Sequence, residues 1–209
     1  MVKFSQNEEE KYILEYFGDF VGSFLDIGSN DGITFSNTRQ LALNGWTGVC
    51  IDANREASER CEKLYKGHSG IYVYHWAIAQ RFANGKKYIL NGSGNLINSN
   101  DVGLVSTFYE SEMERFKKTV WYKPESVIGW KWKTAYNRLR IRQFSFVSIH
   151  VESDEMQILP YIDLTETRLI CLEHNGSIDR KNEYLKHTAK YDLTKVIYES
   201  AENIIICKS

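Results

Sequence analysis

Gly28 and Gly32 enclose the polar run Ser29-Asn30-Asp31, directly after the apolar segment Phe24-Leu25-Asp26-Ile27. Glycines there let the backbone approach a ligand closely, and Asp26, Asn30 and Asp31 supply acceptors suited to an ammonium group or to ribose hydroxyls. The run is not G-x-G-x-x-G. A pyrophosphate turn presents backbone N–H groups with little negative charge, so the two aspartates point to a ligand of cationic character rather than to NAD. Asp52 closes a second apolar run, Gly48-Val49-Cys50-Ile51. In nucleoside-binding α/β folds an acidic side chain at that place accepts hydrogen bonds from ribose; the structural alternative is a cap on the helix starting near Arg55. S-adenosylmethionine, with its ammonium and sulfonium, fits both features.

Two histidines stand beside carboxylates farther along: His150 just before Glu152, and His174 just after Glu173. An imidazole can take a proton from a reacting hydroxyl near neutral pH, with Glu152 raising its pKa or burial lowering it. The structural alternative is a satisfied core histidine. His150, Glu152, Glu173 and His174 could in principle surround a metal, but they lie on two separate runs, and none is expected. A different signal lies between Arg115 and Arg142. There Lys117, Lys118, Lys123, Lys131, Lys133, Arg138 and Arg140 interleave with Phe116, Trp121, Tyr122, Trp130, Trp132 and Tyr136, opposed by Glu125 alone. Aromatic faces stack on sugars or bases and cations suit phosphate or carboxylate, so residues 104–142 are expected to form an acceptor-binding insertion or lid, with Trp130 and Trp132 touching substrate. The competing reading is a solvated face over a core aromatic cluster.

The elements needed to position these groups follow from periodicity. Asn7 and Glu10 suggest a capping box for a helix within residues 1–19, with Tyr12, Ile13, Tyr16 and Phe17 at helical spacing. Buried-strand runs are expected at 24–27, 48–52, 71–74, 144–149 and 168–172, separated by helices at 36–43, 56–65, 108–118, 154–162 and 180–189. The polar stretch 80–103 reads as loop or hairpin, with a short strand at Tyr88-Ile89-Leu90. Strands at 192–198 and 203–207 are too close for a crossover helix and should pair antiparallel. This pattern predicts an α/β sandwich with a mostly parallel seven-stranded sheet and an antiparallel final hairpin, the layout of Rossmann-like methyltransferases. Ligands of such sheets sit beyond the carboxyl ends of the strands.

The 209 residues, 43% hydrophobic and 25% charged, suit one globular domain over 1–209. Lys and Arg number 26 against 27 Asp and Glu, so no global field favours nucleic acid. Cys50, Cys61, Cys171 and Cys207 lie far apart and read as reduced core thiols. No apolar leader or membrane span is evident, and a cytoplasmic protein is expected.

Taken together, three stretches resemble the FkbM family of S-adenosylmethionine-dependent methyltransferases: Phe24 to Gly32, Ser36-Asn37-Thr38, and Gly45-Trp46-Thr47-Gly48-Val49-Cys50-Ile51-Asp52-Ala53-Asn54. Phe146 to Glu155 is similar to the family's strand-four motif and Ile170 to Asn175 to its strand-five motif. The resemblance runs from about residue 20 to the last strand. It implies methyl transfer to oxygen, in many members to a hydroxyl of a sugar or similar polar natural product. Carried across by position, Asp26, Gly28, Asn30, Asp31 and Gly32 would hold the methionine end, Asp52 and Ala53 the ribose, and Trp76-Ala77-Ile78 would flank the adenine. The chain departs from the pattern at His150, where the family has Asp, and at Ser153, where it has Gly. The expectation is thus an O-methyltransferase for a sugar, glycan or similar small molecule, with His150, Glu152 and His174 as candidate catalytic groups and Glu173 at the substrate. The alternatives are a nucleic-acid methyltransferase and an inactive cofactor-binding module.

Overall fold

The protein is described by a computed structural model over residues 3–93, 105–152 and 154–209. After helix α1 (Glu9–Phe17), strands β1 (Ser23–Ile27), β2 (Thr47–Asp52) and β3 (Ile71–Ile78) alternate with α2 (Arg39–Leu43) and α3 (Arg55–Leu64). An insertion follows, containing β4 (Lys86–Ser93), α4 (Glu110–Phe116), β5 (Tyr122–Trp130) and α5 (Trp132–Tyr136). The chain then returns through β6 (Phe146–Ile149), β7 (Leu169–Glu173), α6 (Ile178–Thr188), β8 (Leu193–Glu199) and β9 (Asn203–Lys208). All these strands form one sheet in the order β4-β5-β3-β2-β1-β6-β7-β9-β8.

The central strands are mainly apolar, with Asp26 and Ser148 the buried polar exceptions on β1 and β6, because helices cover both faces of the sheet. Side chains alternate with period two. Leu25, Ile27, Val49, Ile51, Val147, Ile149, Ile170 and Leu172 enter the core on one face, while Phe24, Cys50, Phe146 and Cys171 enter the core on the other. Gly48 makes this possible: a Cβ there would come within 2.3 Å of the Phe24 ring, which lies across β2. β1 pairs in parallel with β2 and β6, and β7 with β6, whereas β9 runs antiparallel to β7 and β8 to β9. The expected Rossmann-like α/β architecture with its final antiparallel hairpin is therefore present. All four cysteines are unpaired and buried.

Several local expectations need correction. The sheet has nine strands, not seven, because β4 and β5 pair antiparallel and β5 continues the sheet beside the end of β3, with Ile78 opposite Trp130. The short strand expected at Tyr88-Ile89-Leu90 is the middle of β4. Residues 94–104 of the polar stretch and the first residue of the expected lid lie outside the described residues, as does Ser153. The helix expected at 154–162 is two 3-10 turns, Glu155–Gln157 and Leu159–Tyr161, with Pro160 removing the N–H a continuous helix would need. At α1 the Asn7/Glu10 capping box does not form. The Glu10 N–H donates to Ser5 Oγ, and Asn7 donates through its backbone and side-chain nitrogens to Glu9. Ser36 does accept the Arg39 N–H at the start of α2, at 3.0 Å.

Candidate functional site

Beyond the carboxyl ends of β1, β2, β3, β6 and β7 lies a cavity of about 360 Å³, within the size range of small-ligand sites. Its lining changes character along the sheet. Trp76, Ala77, Ile78, Leu90, Val105, Phe108 and Phe116 make one end apolar. Gly28, Asn30, Asp52 and Ala53 occupy the middle. His150, Glu152, Glu173, Asn175, Glu202 and Gln6 make the opposite end polar.

The loop after β1 is shaped by its neighbours. A Cβ on Gly28 would sit 1.7 Å from the His150 carbonyl oxygen, and its φ of +84° favours glycine as well, so no other residue fits this crossing. Asn30 also adopts a left-handed conformation, at φ +47°. Its N–H donates to Asp52 Oδ2 at 2.8 Å, while Asp52 Oδ1 accepts the Asn54 N–H at 2.7 Å. These bonds fix the carboxylate at the end of β2, and burial raises its pKa to about 6 against their opposing pull. Each Asp52 oxygen keeps lone-pair capacity for a further donor. The Asn30 side chain is 6% exposed, and neither its amide oxygen nor its nitrogen has a protein partner. A buried amide left open in a cavity is a group prepared for a ligand.

Three of the expected methionine-end residues do not line the cavity. Asp26 is buried beneath it and accepts a 2.6 Å bond from Thr38 Oγ1; burial raises its pKa to about 7. Asp31 turns back on its own loop, accepting from the Ile33 and Thr34 N–H groups at 2.8 and 2.7 Å. Gly32 faces the Cys61, Leu64 and Tyr65 side chains of the α3 region. Their contribution is to hold the loop in shape.

At the end of β6, the Asn37 amide nitrogen lies 3.3 Å from His150 Nε2, 3.4 Å from Ser148 Oγ and 3.5 Å from Cys171 Sγ. An amide nitrogen can only donate, so Nε2 accepts and the imidazole proton sits on Nδ1. Burial lowers the His150 pKa to about 4, with the charge of Glu9 acting weakly the other way. The imidazole is therefore neutral near pH 7, and its lone pair is already engaged. Glu152 lines the cavity in a left-handed conformation, φ +50°. Beside it Asp154 is paired with Arg81 and accepts the Tyr109 hydroxyl at 2.6 Å.

Glu173 reaches the cavity from the end of β7, but His174 does not. The His174 backbone N–H donates to the Glu202 carbonyl, and its Nδ1 accepts the Gly176 N–H at 3.1 Å within the turn. Trp130 and Trp132 are also absent from the lining. Trp132 is 3% exposed within the core around Leu25 and Ile149, and Trp130 lies against Trp76 with the Arg138 guanidinium over its ring. Among the described residues no three His, Cys, Asp or Glu side chains converge as a metal site.

Sequence reasoning pointed to Trp76-Ala77-Ile78 at one end and to His150, Glu152 and Glu173 at the other, but it missed the rest of each end: Leu90, Val105 and Phe108 on the apolar side, Gln6 and Glu202 on the polar side. The apolar wall is brought in by a pair of bonds between Asn91 and Thr107, 3.0 and 3.1 Å, and by Asn54 Nδ2 donating to Ser106 Oγ. Gln6 and Glu202 meet there because Asn7 Nδ2 donates to Glu202 Oε2 at 3.0 Å, and Asn203 Nδ2 to the fully buried Glu9 at 2.9 Å. Contacts between positions nearly two hundred residues apart leave no periodic signal.

No family model matches the chain, and no curated protein sequence matches it. Among solved structures it is similar to ribosomal protein L11 methylase of Lactobacillus delbrueckii subsp. bulgaricus, at 10% identity over 98% of this chain and 79% of that one, with a TM-score of 0.50. It is also similar to an O-methyltransferase from Bacillus cereus solved with S-adenosylhomocysteine, at 12% identity over 99% and 83% of the two chains (TM-score 0.49). TrmK of M. capricolum, solved with the same product, gives 12% identity over 99% and 70% (TM-score 0.49). At such identities the likeness is one of fold, carried by the first of these and by the strand order, and the chain has the Rossmann-like α/β fold of methyltransferases.

Proposed function

We propose that this chain is an S-adenosylmethionine-dependent O-methyltransferase related to the FkbM family, acting on a hydroxyl of a sugar, glycan or similar polar small molecule. The observation that carries the reading is the cavity itself, apolar at β3 and polar at β7, with the open Asn30 amide and the braced Asp52 carboxylate between. The donor set fits the cofactor. The Asn30 amide offers both a donor and an acceptor to an amino-acid zwitterion, Asp52 takes ribose hydroxyls, and Ala77 with Trp76 and Phe108 encloses the adenine. When bound, S-adenosylmethionine supplies an electrophilic methyl group. The protein's part is to place an acceptor hydroxyl in line with it and to exclude water. The hydroxyl proton leaves toward Glu152 or Glu173, two of the carboxylates lining the polar end, while Asn37 holds His150 as a neutral wall.

A nucleic-acid acceptor is disfavoured because no Lys or Arg is among the described residues lining the cavity. Calorimetry tests the cofactor: S-adenosylmethionine and S-adenosylhomocysteine should bind and NAD should not. Transfer of labelled methyl onto pools of sugars, nucleotide sugars and RNA tests the acceptor, with sugars expected to be labelled. Tighter binding of NAD would sink the reading, and cofactor binding without turnover on any pool would leave a binding module.

A further inference from the structure

The loops after β3 and β6 meet although two strands stand between them. In the sheet β2 and β1 separate β3 from β6, so three strand spacings, about 14 Å, lie between their ends. Arg81, three residues past β3, nevertheless pairs with Asp154, five residues past β6. Arg81 Nη1 also donates to the Tyr109 hydroxyl at 2.8 Å, and that hydroxyl donates to Asp154 Oδ1 at 2.6 Å. The guanidinium lies 4.8, 5.3 and 5.0 Å from the ring centroids of Phe82, Phe108 and Tyr109. The three residues thus close a ring of bonds across the gap between the two loops, the gap in which the ends of β1 and β2 present Asn30 and Asp52.

Tyr109 brings a third segment with it. Val105, Ser106, Thr107 and Phe108, directly before it in the chain, all line the cavity. Ser106 and Thr107 are anchored to Asn54 and Asn91, beside β2 and on β4, while Tyr109 carries the far end of the segment to the β6 side. The Arg81 side chain is 31% exposed, so water can take over its bonds when they break, and bonds of this kind open locally without unfolding the domain. Resting on the methyltransferase reading for the identity of the ligand, we infer that Arg81, Tyr109 and Asp154 form a latch, with residues 105–109 as the strap it holds, and that the latch opens to pass the cofactor. The latch is closed in the empty and the loaded protein alike. Opening therefore precedes both entry and exit, and a weaker latch speeds the two steps together.

Stopped-flow tryptophan fluorescence, with Trp76 in the cavity wall as the reporter, gives the association and dissociation rates of S-adenosylhomocysteine. Tyr109→Phe keeps the ring beside Arg81 and removes the bridging hydroxyl. It should raise both rates at least about fivefold and change Kd by less than about twofold. Arg81→Gln, on a different segment, should act in the same direction and guards against one variant that misfolds. A fixed wall contact would instead speed dissociation alone and weaken Kd; that result, or unchanged rates, overturns the latch. Hydrogen exchange reads the strap without any ligand: the Thr107 N–H, bonded to the Asn91 carbonyl at 3.1 Å, should exchange at least about threefold faster in Tyr109→Phe, and equal exchange also overturns the latch. Failure to bind S-adenosylhomocysteine overturns the methyltransferase reading instead, and exchange at Thr107 then decides the latch by itself.

Discussion

The strand-end cavity and the 105–142 insertion are both rich in charged and aromatic side chains, yet they use them in opposite ways. In the insertion several of the cations are answered from within the molecule. Arg138 lies 4.6 Å above the Trp130 ring, Arg140 5.4 Å above Tyr72 and Lys123 5.7 Å above Trp121, while Lys117 pairs with Glu114. Its β5 extends the sheet and its α5 plugs the core. In the cavity the fixed groups face a void, and Asp52 is braced by backbone N–H groups that leave lone-pair capacity on its oxygens at the cavity wall. Interleaved cations and rings thus mark a surface that stabilises itself, whereas buried polar groups left open mark a site.

The largest expected effect tests the structural half of that contrast. Trp132→Ala should cost about 3–5 kcal/mol of stability in denaturant unfolding, because it empties a fully enclosed position in the main core. Cofactor affinity of the folded fraction should be unchanged. Retained stability with a raised acceptor KM would place Trp132 in an acceptor-binding lid instead.

How much of this was legible in sequence follows from the range of the interactions. The central strands, the glycine turn after β1 and Asp52 are local or period-two features, and apolar runs ending in polar turns reveal them, although the reason for Gly28, its crossing with the distant His150 carbonyl, is not among them. The roles within the loop were less visible. Asp26 and Asp31 look like ligands because they are acidic and near glycine, yet one is claimed by Thr38 and the other by the next two N–H groups. Short-range hydrogen bonding of Asp competes with ligand binding, and spacing alone does not decide between them. The basic-aromatic segment is hard to read for another reason: β5 is recognisable as a strand only once β3 offers it an edge to pair with.

Asp26 gives the next effect in size. Its pKa in the folded protein, about 7, lies above the ordinary 3.8, so the folded state holds the proton longer and ionisation works against folding. Its contribution to stability therefore falls as pH rises from about 4 to about 7 and is level above that. Asp26→Asn keeps an acceptor for Thr38 and should be more stable than the wild type at pH 8 by ~1–4 kcal/mol, the upper figure being three pK units at 1.36 kcal/mol each. The gain should shrink to nothing near pH 4. Thermal unfolding across that range checks it, and a gain independent of pH would mean that Asp26 ionises as readily in the native protein as in the unfolded chain. Within the cavity, Asp52→Ala should weaken S-adenosylhomocysteine binding by about 1–3 kcal/mol in calorimetry, since it removes the proposed ribose acceptor and leaves the Asn30 and Asn54 N–H groups without theirs. An unchanged dissociation constant would place the ribose elsewhere.

The smallest effect is expected at His150, where sequence alone suggests the largest. A general base contributes about 10²–10⁴-fold and works best with a pKa near the operating pH. His150 meets neither requirement: burial holds its pKa near 4, and the Asn37 amide occupies Nε2, the one nitrogen that could accept a proton. What it supplies is shape, with its carbonyl against Gly28 and its ring closing the wall below the acceptor end. On this basis His150→Ala should lower kcat by less than about tenfold, well short of the loss of a base. The limb of the pH profile between 5.5 and 8 should be the same in variant and wild type, because the His150 imidazole, held near 4, does not titrate there. The comparison variant Glu173→Gln should lower kcat more strongly if Glu173 takes the hydroxyl proton. A wild-type limb near pH 6 to 7 that disappears in His150→Ala would return the base to histidine, and would require Asn37 to release Nε2 when the acceptor binds.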